Sequence, residues 1–291
     1  MTVPRTDLRG APVDRATQRW VMATGRRVDL AGPERWLDGP VGDPDGLGDR
    51  WVDAYAAHLG AGVVEGPQQG LLPAFAALAP SVDAAAVSPE VAAFYETTTA
   101  WSVDLWSRWS RWAEPGGRLI NAVFAHRLRQ LSLPLDPLEV AEGLDSRVAA
   151  LVAPGGHHLG TVWQRTSRTT GRTVFGGFYG TQTLPGASGP SVRVVFPLPN
   201  GSLTVLLRPE AAPDGGLVLR SGPGRFGDDG AYLVVRPEAA ARGWARRVPL
   251  HEHFALSARD DGSVRCDHRL ALGPLEVLRL HYRLRPLATR G

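Results

Sequence analysis

Glu252, His268 and Tyr282 are the residues whose types and spacing best suit chemistry. Leu250, Glu252, Phe254 and Leu256 alternate with His251, His253, Ala255 and Ser257. A strand sends successive side chains to opposite faces, so the apolar set marks a buried side that includes Glu252. Beyond Gly262, the residues Val264, Cys266, His268, Leu270 and Leu272 alternate with Arg265, Asp267 and Arg269. A third run puts Leu278, Leu280, Tyr282 and Leu284 on one face and Arg279, His281, Arg283 and Arg285 on the other. A one-residue slip would bury three charges, so the parity is self-consistent. The segment Ala258–Gly262 suits a type I turn closed by a left-handed glycine. It predicts Ala258 opposite Gly262, Leu256 opposite Val264, Phe254 opposite Cys266 and Glu252 opposite His268. A carboxylate beside an imidazole, with a phenol at hand, suits cofactor-free acid–base work. Glu252 would be the base, His268 its partner, and Tyr282 a donor to developing oxyanion charge. The plainer reading is a buried ion pair or a polar cluster at a barrel end.

Other motifs carry less. Gly222-Pro223-Gly224-Arg225-Phe226-Gly227 spells a dinucleotide fingerprint, but it precedes a strand and reads as a turn. His251 and His253 share a polar face with no third ligand fixed, so no metal site is expected. His157 and His158 are adjacent at a strand start and diverge. Asp43, Asp45 and Asp49 have loose calcium-loop spacing, broken by Pro44 and lacking a terminal glutamate. Gly186-Ala187-Ser188-Gly189 lacks the strand–turn–helix setting of a nucleophile elbow. Cys266 faces inward and reads as a small core residue.

The elements that would position the dyad change period near residue 146. Residues 1–48 are rich in Gly, Pro, Asp and Arg and read largely as loop. A helix is expected over 49–59, and an apolar segment over 71–78. Ser88-Pro89 opens a predicted long helix, capped and started as helices prefer. Its stripe would carry Val91, Phe94, Thr98, Trp101, Leu105 and Trp112, widened by Trp106 and Trp109, as core or as the lining of an apolar site. Further helices are expected over 119–131, bearing Arg127 and Arg129, and from the Asp136-Pro137-Leu138-Glu139 capping box to Gly143. Strands are expected at 146–152, 157–166, 172–180, 190–197, 202–208, 216–221, 230–236, 247–257, 263–272 and 275–285. The Thr170-Gly171 hairpin should pair Trp163 with Phe175 and Leu159 with Tyr179. Evenly spaced short strands favour an antiparallel barrel, whose closure removes exposed edges.

Composition narrows the field. The 291 residues contain no lysine, one isoleucine (Ile120) and two asparagines, a pattern of genomic base composition. The formal charge is +3, with arginines scattered among acids, so no stripe suits nucleic acid. One cysteine excludes an internal disulfide and any multi-cysteine metal site. Met1–Gly10 is polar and no apolar run is long enough to span a bilayer, so a cytoplasmic protein is expected.

The expected meander of about ten strands resembles the fatty-acid-binding-protein and lipocalin-like class in strand count. The fold expected is α+β. A mainly helical region with a loop-rich start (1–145) packs on or plugs a C-terminal antiparallel β-barrel (146–291). The barrel would hold a small hydrophobic molecule. As an enzyme it would catalyse isomerisation, dehydration or cyclisation of a polyketide- or terpenoid-like substrate. A non-catalytic carrier or sensor, and an interaction scaffold, are the alternatives.

Overall fold

The computed structural model describes residues 8, 10–42, 50–109, 144–168, 171, 173–236 and 241–287. The helices expected at 119–131 and 136–143, with Arg127 and Arg129, lie outside them, as do Trp112 and the aspartates at 43, 45 and 49. Three short α-helices are described: α1 (Pro12–Thr24), α2 (Arg50–Leu59) and α3 (Pro89–Glu96). The strands are β1 (Arg26–Asp29), β2 (Gly62–Glu65), β3 (Trp101–Trp109), β4 (Leu144–Val152), β5 (His158–Ser167), β6 (Thr173–Thr183) and β7 (Pro190–Leu198). They continue with β8 (Gly201–Ala211), β9 (Leu217–Arg220), β10 (Gly230–Val235), β11 (Arg242–Val248), β12 (Leu250–Ala258), β13 (Val264–Leu272) and β14 (Leu275–Pro286).

The long helix expected from Ser88 is corrected. Helix α3 starts with Ser88 at its cap and Pro89 in its first turn, but stops at Glu96. There the hydroxyls of Thr97 and Thr98 donate to the carbonyls of Ala93 and Phe94, at 2.8 and 2.7 Å. Threonine hydroxyls that turn back on the helix in this way compete with its continuation. The tryptophan run that follows is strand β3, paired with β14 so that Val103 lies opposite Leu284 and Leu105 opposite Tyr282. Trp101 is buried, whereas Trp106 points outward with 56% of its surface exposed. Trp101, Trp106 and Trp109 therefore lie on a strand and form no helical stripe. The strand expected at 247–257 is also corrected. Its first residues close β11, and β12 begins at Leu250, one residue beyond Pro249.

The strands make one 14-stranded sheet, antiparallel in every strand pairing, whose main path runs β2-β4-β5-β6-β7-β8-β9-β12-β13-β14-β3. Strand β8 branches it. Residues 201–206 pair with β10, which continues to β11 and β1, while Arg208–Ala211 pair with β9. Among the described residues the end strands β2 and β3 do not pair, so the sheet is not closed as the expected barrel would be. On the concave side the chain between β2 and β3 packs into the main core. Leu71, Leu72, Phe75 and Leu78 join Val91 and Phe94 of α3 in the main core, with Val194, Val205, Leu256 and Leu280 of the sheet. Thr161 of β5 donates to the carbonyl of Gly70 at 2.9 Å, tying this plug to the sheet.

The convex side has two smaller cores. Trp51, Val52 and Tyr55 of α2 pack on Leu151, Val162, Phe178 and Val195. Trp36 and Leu37 pack on Leu206, Tyr232 and Ala245.

Candidate functional site

Strands β12, β13 and β14 carry Glu252, His268 and Tyr282 on the concave face, as alternation predicts. Cys266, Leu270, Leu278, Leu280 and Leu284 on that face are all buried. The register differs from expectation. Arg259 donates its amide to the carbonyl of Ser263, so the loop is Asp260-Asp261-Gly262, with Gly262 at φ +72°. Ala258 therefore pairs with Val264, Leu256 with Cys266, Phe254 with His268 and Glu252 with Leu270. A two-residue slip preserves every face but makes Glu252 and His268 diagonal neighbours. The β5–β6 hairpin slips in the same sense. Trp163 lies opposite Gly177, Arg165 opposite Phe175 and Thr161 opposite Tyr179.

The slip does not separate the dyad. His268 Nε2 lies 3.1 Å from Glu252 Oε2, and their side chains are 6% and 11% exposed. A carboxylate accepts, so the ring carries its proton on Nε2. Phe254 stacks on the imidazole at 3.7 Å between centroids, and Tyr282 lies on it at 6.4 Å. His268 Nδ1 is sealed without a hydrogen-bond partner. Glu252 Oε1, by contrast, makes no hydrogen bond and is not sealed. The atom that a bound molecule can reach is thus on the glutamate. The backbone of Glu252 is pinned as well. Its amide donates to Ser221 Oγ at 3.0 Å, and its carbonyl accepts from the Ser221 amide at 2.9 Å.

An aromatic wall stands across the concave face on β5, β6 and β7. Trp163, Phe175, Tyr179 and Phe196 contact one another at 5.6–6.4 Å between centroids. All four are only partly buried. Gly177 makes room for them, since a β-carbon there would sit 3.2 Å from the Tyr179 ring. Burial holds the Tyr179 hydroxyl well above its ordinary proton affinity, reinforced by Tyr282, Glu252 and Tyr95 and opposed by Arg165. Burial does the same to Tyr282, reinforced by Cys266 and Glu252 and again opposed by Arg165. Both phenols are therefore donors at neutral pH.

Arg165 and Tyr179 are the members that strand reasoning passed over. The signal was present: Thr161, Trp163 and Arg165 alternate on one face of a predicted strand, and Trp163 is apolar. Cys266 is buried and free, and burial pushes its thiol far up, which suits packing better than reactivity. His251 and His253 stand on the other face, where burial and then a neighbouring arginine lower their proton affinity. Among the described residues no three ligating side chains converge as a metal site would need.

No family model matches the chain, and no solved structure matches it. It is 27% identical over 203 residues to the "Uncharacterized membrane protein YndJ" of Bacillus subtilis (strain 168). That alignment covers 67% of this chain and 34% of the relative, so the chain spans about a third of that protein's length. No helix among the described residues is long and apolar enough to cross a membrane.

Proposed function

We propose that the concave face binds a small hydrophobic molecule between the aromatic wall and the Phe254–His268–Tyr282 stack, with Glu252 as its acid–base group. The observation that carries this reading is the buried hydrogen bond between Glu252 and His268, which leaves one carboxylate oxygen free and unsealed. That oxygen is open to a proton of a bound molecule, and the bond from His268 fixes where it stands. In the reaction His268 holds the carboxylate in place and Glu252 takes or gives a proton. Tyr282 donates to the oxygen on which charge develops. The chemistry is cofactor-free isomerisation, cyclisation or dehydration of a polyketide- or terpenoid-like substrate.

Native mass spectrometry of freshly purified protein tests the binding. A retained apolar small molecule supports it, and protein that carries no ligand and takes up no apolar probe refutes it. Glu252→Gln then separates catalyst from carrier. An enzyme keeps its affinity and loses turnover, whereas a carrier shows no turnover to lose. We place the protein in the cytoplasm. The name of the Bacillus relative points instead to a membrane, and cell fractionation decides between the two.

A further inference from the structure

Arg165 has no described role in folding that accounts for its position. It sits on β5, on the concave face, two residues from Trp163. Its Nη2 makes a long 3.3 Å hydrogen bond to the carbonyl of Val103 on β3. Its Nε is sealed with no partner. Among the described residues no carboxylate forms an ion pair with it, and Asp104, whose charge acts on it, is paired with Arg285. Burial lowers its proton affinity, but a guanidinium remains charged at any pH a cell reaches. The half-buried guanidinium thus faces the concave side without an anionic partner among the described residues. An unpaired buried charge is strongly unfavourable, and proteins normally pair it or aim it at a ligand.

The neighbours suggest which ligand. Tyr179 lies beside Trp163 at 5.7 Å between ring centroids, and Tyr282 is paired with Leu105 of β3, two residues from the Val103 carbonyl that Arg165 reaches; neither hydroxyl makes a hydrogen bond among the described residues. Three donor groups, the guanidinium and two phenols, therefore share this face with only the Val103 carbonyl as an acceptor among the described residues. Around them stand Trp163, Phe175 and Phe196, an apolar surface. Glu252, on this face, is already engaged by His268. The geometry points to an anchoring site at Arg165, Tyr179 and Tyr282 for the carboxylate of an apolar organic acid. A planar carboxylate fits the guanidinium fork, and the phenols supply further donors. The apolar body then lies on the aromatic wall, with its reactive end towards Glu252 Oε1. This deepens the proposed function and rests on it: it names the substrate class of the same site.

The test compares two probes that differ only in charge, 2-naphthoate and its neutral methyl ester, titrated calorimetrically into wild-type protein and Arg165→Met at pH 7. A charge-assisted hydrogen bond to a buried guanidinium predicts roughly ten- to a hundredfold tighter binding of the acid by wild type. Arg165→Met removes that preference while the ester binds as before. Arg165→Lys restores part of it, because the charge returns without the fork. Equal binding of acid and ester by wild type overturns the anchoring site and leaves hydrophobic binding standing. Binding of neither overturns both. The wild-type comparison alone decides the point should Arg165→Met fail to fold.

Discussion

Replacing His268 by leucine removes the donor that Glu252 relies on while keeping an apolar side chain in the space between Phe254 and Tyr282. The Glu252 carboxylate, 11% exposed, loses the hydrogen bond to its Oε2. Leaving a buried acceptor unsatisfied costs roughly 1–3 kcal/mol, towards the upper part of the range for a charged group. We expect about 2 kcal/mol, the unsealed second oxygen moderating the loss. Glu252→Leu leaves His268, 6% exposed, with neither ring nitrogen paired, and costs a similar amount. The double variant removes both polar groups together. Its cost falls short of the sum of the singles by at least about 1 kcal/mol, since neither orphan remains. Urea unfolding followed by tryptophan fluorescence measures all four proteins. With a slope near 3 kcal/mol/M for a chain of this size, 2 kcal/mol moves the midpoint by roughly 0.7 M. Costs that add to within about 0.3–0.5 kcal/mol would refute the coupling, and with it the reasoning that this pair organises the site.

Gly70→Ala drives a β-carbon to 2.3 Å from the backbone of Tyr95 and Glu96, so the plug must shift. We expect about 2 kcal/mol of destabilisation, and faster hydrogen exchange at the Leu72 amide, which donates to Tyr95. Leu280→Ala, at a site 1% exposed, costs about 2–5 kcal/mol by thermal or urea melting, whereas Leu275→Ala, 51% exposed, stays within about 0.5 kcal/mol. Hydrogen bonds from Ser263, with help from Arg283, hold the Asp261 carboxyl at about 2 against an ordinary 3.8. Because the folded value is depressed, the stabilisation is fully present above 3.8 and is lost as pH falls through about 2. Carbon-detected NMR titration reads that value directly, and Asp261→Asn removes this contribution to the acid slope of stability.

Much of the sheet was legible because side-chain period is local. The bounds of β4, β5, β7, β13 and β14 fall within two residues of the alternation. The concave assignment of Glu252, His268 and Tyr282 follows from parity alone. Register was not legible to better than two residues, because a two-residue slip exchanges like faces. Loop hydrogen bonds decided it, as Arg259 pairing with Ser263 shows. Strand β3 was misjudged because Trp101, Leu105 and Trp109 satisfy a helical period, while Trp101, Val103 and Leu105 satisfy a strand's. Isolated, the run is ambiguous; beside β14 it completes a ladder.

What the chain by itself determined is which side chains share a face, since alternation needs no partner. What only the tertiary structure decided is which faces meet. Residues of the 71–95 segment meet the concave face of strands far apart in sequence, in one core with Val194, Val205, Leu256 and Leu280. Arg165 comes among the tyrosines because the sheet's curvature carries β5 round towards β3 and β14. Curvature sums the twist of many strands and the bulk of what they enclose, a long-range balance that no short window of residues contains.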